Sequence, residues 1–348
     1  MLIGFILDTI DMINIKENYN LLNHNTFGVD VKCSWFFEYS SGEQIKKFLE
    51  DKEFKKEKFL HIGEGSNLLF LRDFNGVVAH SLIKGIKEVG RNNGEVLLKI
   101  GAGEKWDDVC EFASKNNFWG IENLSGVPGE AGAAAVQNIG AYGVEIKDVI
   151  AEVCTINKDS AQERVFKVNE CKYGYRESVF KGELKGEYIV TYIVIKLSLK
   201  EKCNLSYGAL KEVLGDSNNL SVKKIRETIV KIRDSKLPNP KVLGNGGSFF
   251  KNPIVEEAVF ISLQKKYPNI PFYKAGEGLV KIPAAWLIEQ SGFKGKKINN
   301  VGVYDKQALV VVNFGGCSGM DIYNFAQTVI ATVKDKFGVE LHPEVNFI

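Results

Sequence analysis

The chain has 348 residues, which at roughly 100–200 residues per domain allows two or three domains. Hydrophobic residues make up 45% and charged residues 25%, a balance that excludes disorder as the main state. Lys and Arg total 45 against 43 Asp and Glu, so the net charge of +2 lacks the basic excess of a nucleic-acid coat.

Glycine stands out at 34 residues against 8 prolines. In a globular chain such an excess marks turns, or backbone that approaches a ligand closely. The six cysteines form no C-x-x-C pair, so zinc and thioredoxin-like readings lack their spacing and no metal site is expected. Reduced thiols in the cytoplasm are the default. The apolar start is short, lacks a basic flank and is broken by Asp8 and Asp11, so no signal peptide is expected. No apolar run approaches ~18 residues, so no membrane-spanning helix is expected. Residues 1–11 match no element around them, so Met12 competes with Met1 as the start.

In chain order, Ser41 and Gln44 predict a capping box, followed by Ile45, Phe48 and Leu49 at helical spacing. Apolar runs at Phe59–Ile62, Leu68–Leu71 and Val77–Ala79 predict buried strands bounded by Gly63, Gly65 and Gly76. Val96–Ile100 predicts another. Trp106, Val109, Cys110 and Ala113 form one helical face, with Gly120 expected just past its end. Val149–Ile156 and Tyr188–Leu197 read as strands. Ser221 caps a helix with Val222, Ile225, Ile229 and Ile232 on one face, stopping before Pro238 and Pro240. Lys236–Lys241 is the best candidate boundary. Beyond it come helices near Glu256–Lys266, Ala284–Gln290 and Met320–Lys336, a strand at Leu309–Asn313, and a closing strand over Val339–Ile348.

Three glycine clusters carry the functional signal. Gly63-Glu64-Gly65-Ser66-Asn67 follows a strand, and its backbone N–H groups suit a pyrophosphate; a tight turn is the competing reading. It is neither a Rossmann fingerprint nor a Walker A loop. Ser125–Gly143 holds Gly126, Gly129, Gly132, Gly140 and Gly143 and no charge except Glu130. It reads as backbone lying against a flat ligand, or as a close-packed Gly/Ala helix start. Gly244–Pro253 reads as a turn that exposes Ser248 in a cleft, or merely caps with it; the G-x-S-x-G elbow of a hydrolase is absent. His24, His61, His80 and His342 show no ligand spacing and read as surface or satisfied core residues. Arg176 and Glu344 are ambiguous alone.

Asn25-Thr26-Phe27-Gly28, GEGSN at 63–67, PGEAGAAAVQNIGAYG at 128–143, YGYRES at 173–178, KLPNPKVLGNGGSFFKNP at 236–253 and HPEV at 342–345 occur in this order. Together they make residues 20–348 closely resemble the UDP-N-acetylenolpyruvoylglucosamine reductase family of peptidoglycan precursor synthesis. The resemblance implies an α+β protein. An FAD-binding fold of the vanillyl-alcohol-oxidase type would form two subdomains, 23–86 and 87–237, after a leader at 1–22. A C-terminal α+β substrate domain would span 238–348, its last strand returning to the FAD site.

It implies noncovalent FAD held by Gly63, Gly65, Ser66 and Asn67 at the pyrophosphate. Ser125, Gly126, Pro128, Gly129 and Gly132 would lie along the flavin, with Gln137, Asn138, Gly140, Ala141, Tyr142 and Gly143. Arg233 would lie near it. NADPH would reduce the flavin and leave. UDP-N-acetylglucosamine enolpyruvate would then take the same pocket and receive hydride at C3 from flavin N5. Ser248 would give the proton to C2, Arg176 would stabilise the enolate, and Glu344 would assist as a protonated donor once burial raised its pKa. Tyr207, Lys236, Asn252 and Tyr273 would bind the substrate. No nucleic acid, membrane or protein partner is implied.

The chain departs from the family at two places. Ala135 stands where proline is frequent, and Asn346 replaces a tail cation. His61 raises the question of covalent flavin, and noncovalent FAD is expected. A sugar or sugar-lactone oxidase of the same fold would not need Ser248. A noncatalytic flavin-binding module would not need Arg176, Ser248 and Glu344 together.

Overall fold

Residues 14–205, 208–215 and 220–348 are described by the computed structural model; residues 1–13, including Met12, and Tyr207 lie outside them. In chain order the described strands and helices begin with β1 (Ile15–Asn20), β2 (Lys32–Tyr39), α1 (Gly42–Glu50), β3 (Phe59–Ile62), β4 (Leu68–Leu69) and β5 (Phe74–Ser81). Then come β6 (Ile86–Asn92), β7 (Glu95–Gly101), α2 (Trp106–Lys115), α3 (Ala131–Gln137), β8 (Gly140–Ala141) and β9 (Val144–Glu145). β10 (Ile150–Asn157), β11 (Glu163–Lys167), β12 (Tyr188–Ser198), α4 (Gly208–Leu214) and α5 (Val222–Lys236) follow. The rest is β13 (Gly244–Ser248), β14 (Ile254–Glu256), α6 (Glu257–Lys266), β15 (Tyr273–Lys274), β16 (Leu279–Lys281) and α7 (Ala284–Gln290). β17 (Lys297–Ile298), β18 (Val301–Val303), β19 (Val310–Asn313), α8 (Gly319–Phe337) and β20 (Asn346–Phe347) end it. No described helix is long and apolar enough to cross a membrane.

The chain divides into two units: residues 1–19, 33–63 and 75–230 in the first, and 20–32, 64–74 and 231–348 in the second. The chain changes unit at 19/20, 32/33, 63/64, 74/75 and 230/231, the last inside α5.

Unit 1 holds two sheets. The first runs β1-β2-β5-β3, with β3 and β5 parallel. α1 covers it, burying Ile45, Phe48 and Leu49, and Phe48 stacks on Phe37 at 4.7 Å. Ser41 Oγ accepts from Gln44 N at 3.2 Å, but Gln44 returns its side chain to Ser40 N at 2.7 Å, one residue ahead of a standard capping box. The second sheet runs β11-β10-β12-β7-β6, antiparallel throughout. Its core packs Val96, Leu98 and Ile100 and then Ile193, Ile195 and Leu197 with the α2 face of Trp106, Val109, Cys110 and Ala113. Burying each aliphatic side chain of this kind contributes about 1.5–3 kcal/mol. α2 leaves through Asn116 and the left-handed Asn117 at φ 54°, not through Gly120 as expected. An asparagine tolerates that backbone because its short amide bonds locally.

The 125–143 segment contains α3, so its alanines are partly a packing device. A Cβ on Gly132 would lie 2.8 Å from the Ala102 Cβ. Gly132 N donates to Ala102 O at 2.9 Å, so the helix backbone is bonded against the chain leaving β7.

In unit 2, β13-β19-β18-β17 form an antiparallel sheet, and β14-β16-β15 form a smaller one. α8 lies on β18 and β19. It is opened by a Ser318–Asp321 capping box and closed by Gly338 at φ 67°. Two expected strands are shorter than their apolar runs. Leu68–Leu71 gives only β4, and Val339–Ile348 gives only β20, which pairs parallel with β4. Pro343 has no N–H to give a ladder, so pairing before it is limited to a bridge with Phe250.

Gly132→Ala is expected to cost about 1–3 kcal/mol, because overpacking a rigid contact forces backbone to move. The midpoint and slope of urea unfolding would show it as an earlier midpoint with an unchanged slope.

Candidate functional site

The third glycine cluster is a strand, β13, not the expected turn. A Cβ on Gly244 would sit 2.2 Å from Phe27 O, and one on Gly246 would sit 2.6 Å from the Phe27 ring. The glycines therefore let β13 lie directly on the Asn25–Gly28 segment. Asn245 N donates to Thr26 O at 2.9 Å, and Asn245 Oδ1 accepts from Gly247 N at 2.9 Å. The register against β19 shifts between Asn245 and Ser248, with Gly247 left-handed at φ 70°. This bulge sets the direction of Ser248, which is half-buried.

Glu344 comes to the same place. Its N–H donates to Phe249 O at 2.8 Å, and its carbonyl accepts from Asn67 Nδ2 at 3.2 Å. Asn67 O in turn accepts from Asn346 N at 3.0 Å and Asn346 Nδ2 at 3.2 Å. Asn346 thus clamps the loop by hydrogen bonding. A Cβ on Gly65 would sit 2.0 Å from His24 O, so the loop also requires its glycine on the other side. Unit 2 therefore assembles Gly65, Ser66 and Asn67 with Ser248 and Glu344. The Glu344 side chain is only half-buried.

Arg233 and Lys236 occupy the last turn of α5. Asn252 Oδ1 accepts from Ala284 N at 2.9 Å, starting α7. Tyr273, 53% exposed, pairs with Lys281 across β15 and β16, and the Lys281 ammonium lies 5.9 Å from its ring centroid. Asn252 and Tyr273 thus flank the β16–α7 connection. Tyr207 lies outside the described residues.

Unit 1 carries Gly63, the 125–143 segment and Arg176. Arg176 has a left-handed backbone at φ 57°, and its Nη2 donates to Gly140 O at 2.8 Å. A Cβ on Gly140 would lie 3.3 Å from Arg176 Nη1, so glycine leaves room for the guanidinium. Asn138 Nδ2 donates to Gly174 O at 2.7 Å, and Ser178 Oγ donates to Val136 O at 2.5 Å. These two bonds strap the Arg176 turn to the C-terminal end of α3.

The expected flavin-lining residues divide by burial. Ser125, Gly129, Gly132 and Asn138 are interior; packing accounts for Gly132 and internal hydrogen bonds for Asn138, while the buried Ser125 hydroxyl has no hydrogen-bond partner. The Ser125 hydroxyl faces the Cys110 thiol, whose pKa burial pushes up. Gly126, Pro128, Gln137, Gly140, Ala141, Tyr142 and Gly143 reach the surface, as does Gly63. A Cβ on Gly63 would lie 3.1 Å from Glu130 Oε2 and 3.5 Å from the Ala133 Cβ, so this small-residue surface borders a buried carboxylate. Such backbone fits a flat aromatic ring, and Arg176 supplies fixed positive charge at Gly140. The residues present therefore fit FAD.

Two groups at this site, Asp107 and Arg226, escaped sequence reasoning. Asp107 Oδ1 accepts from Gly126 N at 2.6 Å while the Arg226 guanidinium grips both its oxygens at 2.5 and 2.9 Å. No spacing rule joins residues 107 and 226. His61 Nε2 meets Tyr39 OH at 2.6 Å; burial, then the neighbouring His80, pull its pKa down to about 3, so the ring is neutral.

A family profile described as an FAD binding domain matches residues 34–165. One described as the UDP-N-acetylenolpyruvoylglucosamine reductase C-terminal domain matches 239–348. The UDP-N-acetylenolpyruvoylglucosamine reductase of Bacteroides fragilis (strain YCH46) is 45% identical over 334 residues, 96% of this chain and 100% of the relative. That of Porphyromonas gingivalis (strain ATCC BAA-308 / W83) is 44% identical over 336 residues, 96% of this chain and 99% of the relative. The crystal structure of the Thermus caldophilus enzyme superposes with a TM-score of 0.66 at 20% identity, covering 96% of this chain and 98% of that one. The expected α+β class, an FAD-binding fold of the vanillyl-alcohol-oxidase type with a C-terminal α+β domain, therefore holds. At such identity over nearly its whole length, the chain belongs to the UDP-N-acetylenolpyruvoylglucosamine reductase family of FAD-containing oxidoreductases.

Proposed function

We propose that this protein reduces UDP-N-acetylglucosamine enolpyruvate to UDP-N-acetylmuramate in cytoplasmic peptidoglycan precursor synthesis, with NADPH as hydride source. The observation that carries the reading is the hydrogen bond from Glu344 N to Phe249 O at 2.8 Å, which ties the Glu344 backbone to the residue after Ser248. In this reading the serine and the carboxyl group serve protonation of a carbon next to a carboxylate.

Bound FAD supplies two-electron hydride transfer, to C3 of the enolpyruvyl group. Ser248 gives its hydroxyl proton to C2. Arg176 steadies the negative charge that develops on the enolate, with donors that stay charged at every working pH. Glu344 contributes as a hydrogen-bond donor in its protonated form. Lys236 meets the diphosphate, and Tyr207, Asn252 and Tyr273 bind the nucleotide-sugar. NADPH and the enolpyruvyl substrate use one pocket in turn. Gly63, Gly65, Ser66 and Asn67 receive the FAD pyrophosphate, and Arg233 lies near the flavin. The domain division at 86/87 and 237/238 is part of this reading.

FAD is noncovalent in this proposal. The engagement of His61 Nε2 with Tyr39 OH supports it, since that nitrogen is turned to a protein partner. Acid precipitation is then expected to leave the yellow colour in the supernatant, and flavin pelleting with the protein would contradict it.

The functional test is NADPH oxidation by the purified yellow protein with and without the enolpyruvyl substrate. Substrate-dependent turnover is expected, and its absence rejects the assignment. Ser248→Ala is expected to keep flavin reduction by NADPH while product formation falls about 10²–10⁴-fold, the usual worth of a positioned proton donor. Stopped-flow absorbance separates the half-reactions; equal loss in both would remove Ser248 from the role.

A further inference from the structure

Asn123 joins the core of unit 1 to the tip of the β8–β9 hairpin. It lies in a short 3-10 turn, Glu122–Leu124, and is fully buried. Both its neighbours are tied down: Trp106 Nε1 donates to Leu124 O at 3.1 Å, and Glu122 Oε2 accepts from Gly120 N at 2.7 Å. The Asn123 Nδ2 group donates to carbonyls of two distant segments, Tyr142 O at 2.8 Å and Asn204 O at 2.8 Å. These acceptors fix the amide's orientation, because flipping it would set oxygen against oxygen. Its Oδ1 is buried without a hydrogen-bond partner. An orphaned acceptor costs stability, so what this side chain contributes is its pair of N–H groups.

Those N–H groups meet a strained turn. β8 and β9 pair Gly140 with Glu145 and Ala141 with Val144, which leaves Tyr142 and Gly143 as a two-residue connection. Both have positive φ, 48° and 81°, as a type I′ turn requires. Asn-Gly is the usual sequence for such a turn. A tyrosine is disfavoured there, because in the left-handed region its Cβ crowds the following carbonyl oxygen. Strain of this kind persists where the surroundings hold it. Here Asn123 takes Tyr142 O, and Asn204 Nδ2 donates to Gly143 O at 3.0 Å. The open end of the hairpin has its own tie, Arg176 Nη2 to Gly140 O at 2.8 Å, so the two asparagines act on the tip.

We propose that Asn123, supported by Asn204, is a positioning residue for the flavin: its N–H groups hold Tyr142 in the left-handed backbone that gives the hairpin tip its shape. This rests on the reading that Tyr142 and Gly143 line the flavin. Without the amide, the tyrosine backbone relaxes toward negative φ, and a turn that leaves the type I′ geometry no longer matches the twist of its strands.

The test is the FAD dissociation constant, read as free-flavin fluorescence after dialysis of the holoprotein, together with the absorption spectrum of the bound flavin, both well below the unfolding temperature. Asn123→Ala is expected to weaken FAD binding about fivefold to tenfold, the worth of one hydrogen bond, and to shift the bound-flavin absorption. Tyr142→Asn installs the residue type that adopts this turn unaided, and on that background Asn123→Ala is expected to cost at most about twofold. Asn204→Ala, at a half-buried position, serves if Asn123→Ala fails to fold, with the same direction and the same rescue. A lower unfolding midpoint with unchanged FAD affinity and spectrum would make the amide merely structural and overturns the proposal. An equal cost on both backgrounds also overturns it, since the amide then does not act through the Tyr142 backbone. Neither readout uses NADPH or the enolpyruvyl substrate. A protein that shows the FAD effects but oxidises no NADPH therefore sinks the functional reading and leaves this inference standing.

Discussion

The position of Phe27 constrains everything that unit 2 presents. Its carbonyl accepts from Asn313 Nδ2 at 2.9 Å, and its ring meets Phe249 at 6.0 Å in an edge-on contact. Asn25 locks the turn before it, donating to Leu21 O at 2.8 Å and Val29 O at 2.9 Å while accepting from Val29 N at 2.9 Å. Thr26 N reaches Gly65 O at 3.3 Å, and Thr26 O takes Asn245 N. One short segment thus holds the 64–67 loop and β13. Because Phe27 is fully buried, any residue larger than glycine at 244 or 246 would have to displace it. The bulge before Ser248 and the tail pairing through Glu344 follow from that contact.

Unit 1 uses polar anchors more than apolar ones to shape its glycine segment. The Arg226–Asp107 pair is bidentate, but Asp107 is 41% exposed, so the pair itself contributes at most about 1 kcal/mol. Its consequence is geometric, since the same carboxylate takes the N–H of left-handed Gly126. Ser178 and Asn138 do the same for the Arg176 turn. Hydrogen bonds of this kind are worth about 1 kcal/mol each, yet they direct a backbone that has few side chains to pack.

The legible parts of the fold were those with a local cause. α1 and α8 announce themselves by serine caps and periodic apolar faces, and β12 by a run of β-branched residues. β6 and β11 escaped because Lys87, Glu88, Arg91, Glu163 and Arg164 face solvent on edge strands, where no apolar alternation is needed. β13 escaped because a glycine run has no strand propensity; pairing with β19 makes it a strand, and its glycines let it lie against Phe27. Asn117 displaced Gly120 at the end of α2 because two residue types satisfy a left-handed exit, and spacing does not choose between them.

Motif order along the chain was enough to identify the family, since those segments are long and their residue types are specific. It was not enough to say what each glycine is for. Gly132 answers to Ala102, and Gly244 and Gly246 answer to Phe27, and each partner is distant in sequence. The same holds for charge. A net charge near zero says nothing of a histidine bracketed by Glu38 and Glu130, because pairing depends on which side chains converge, and convergence arises only when the strands and helices carrying them are packed.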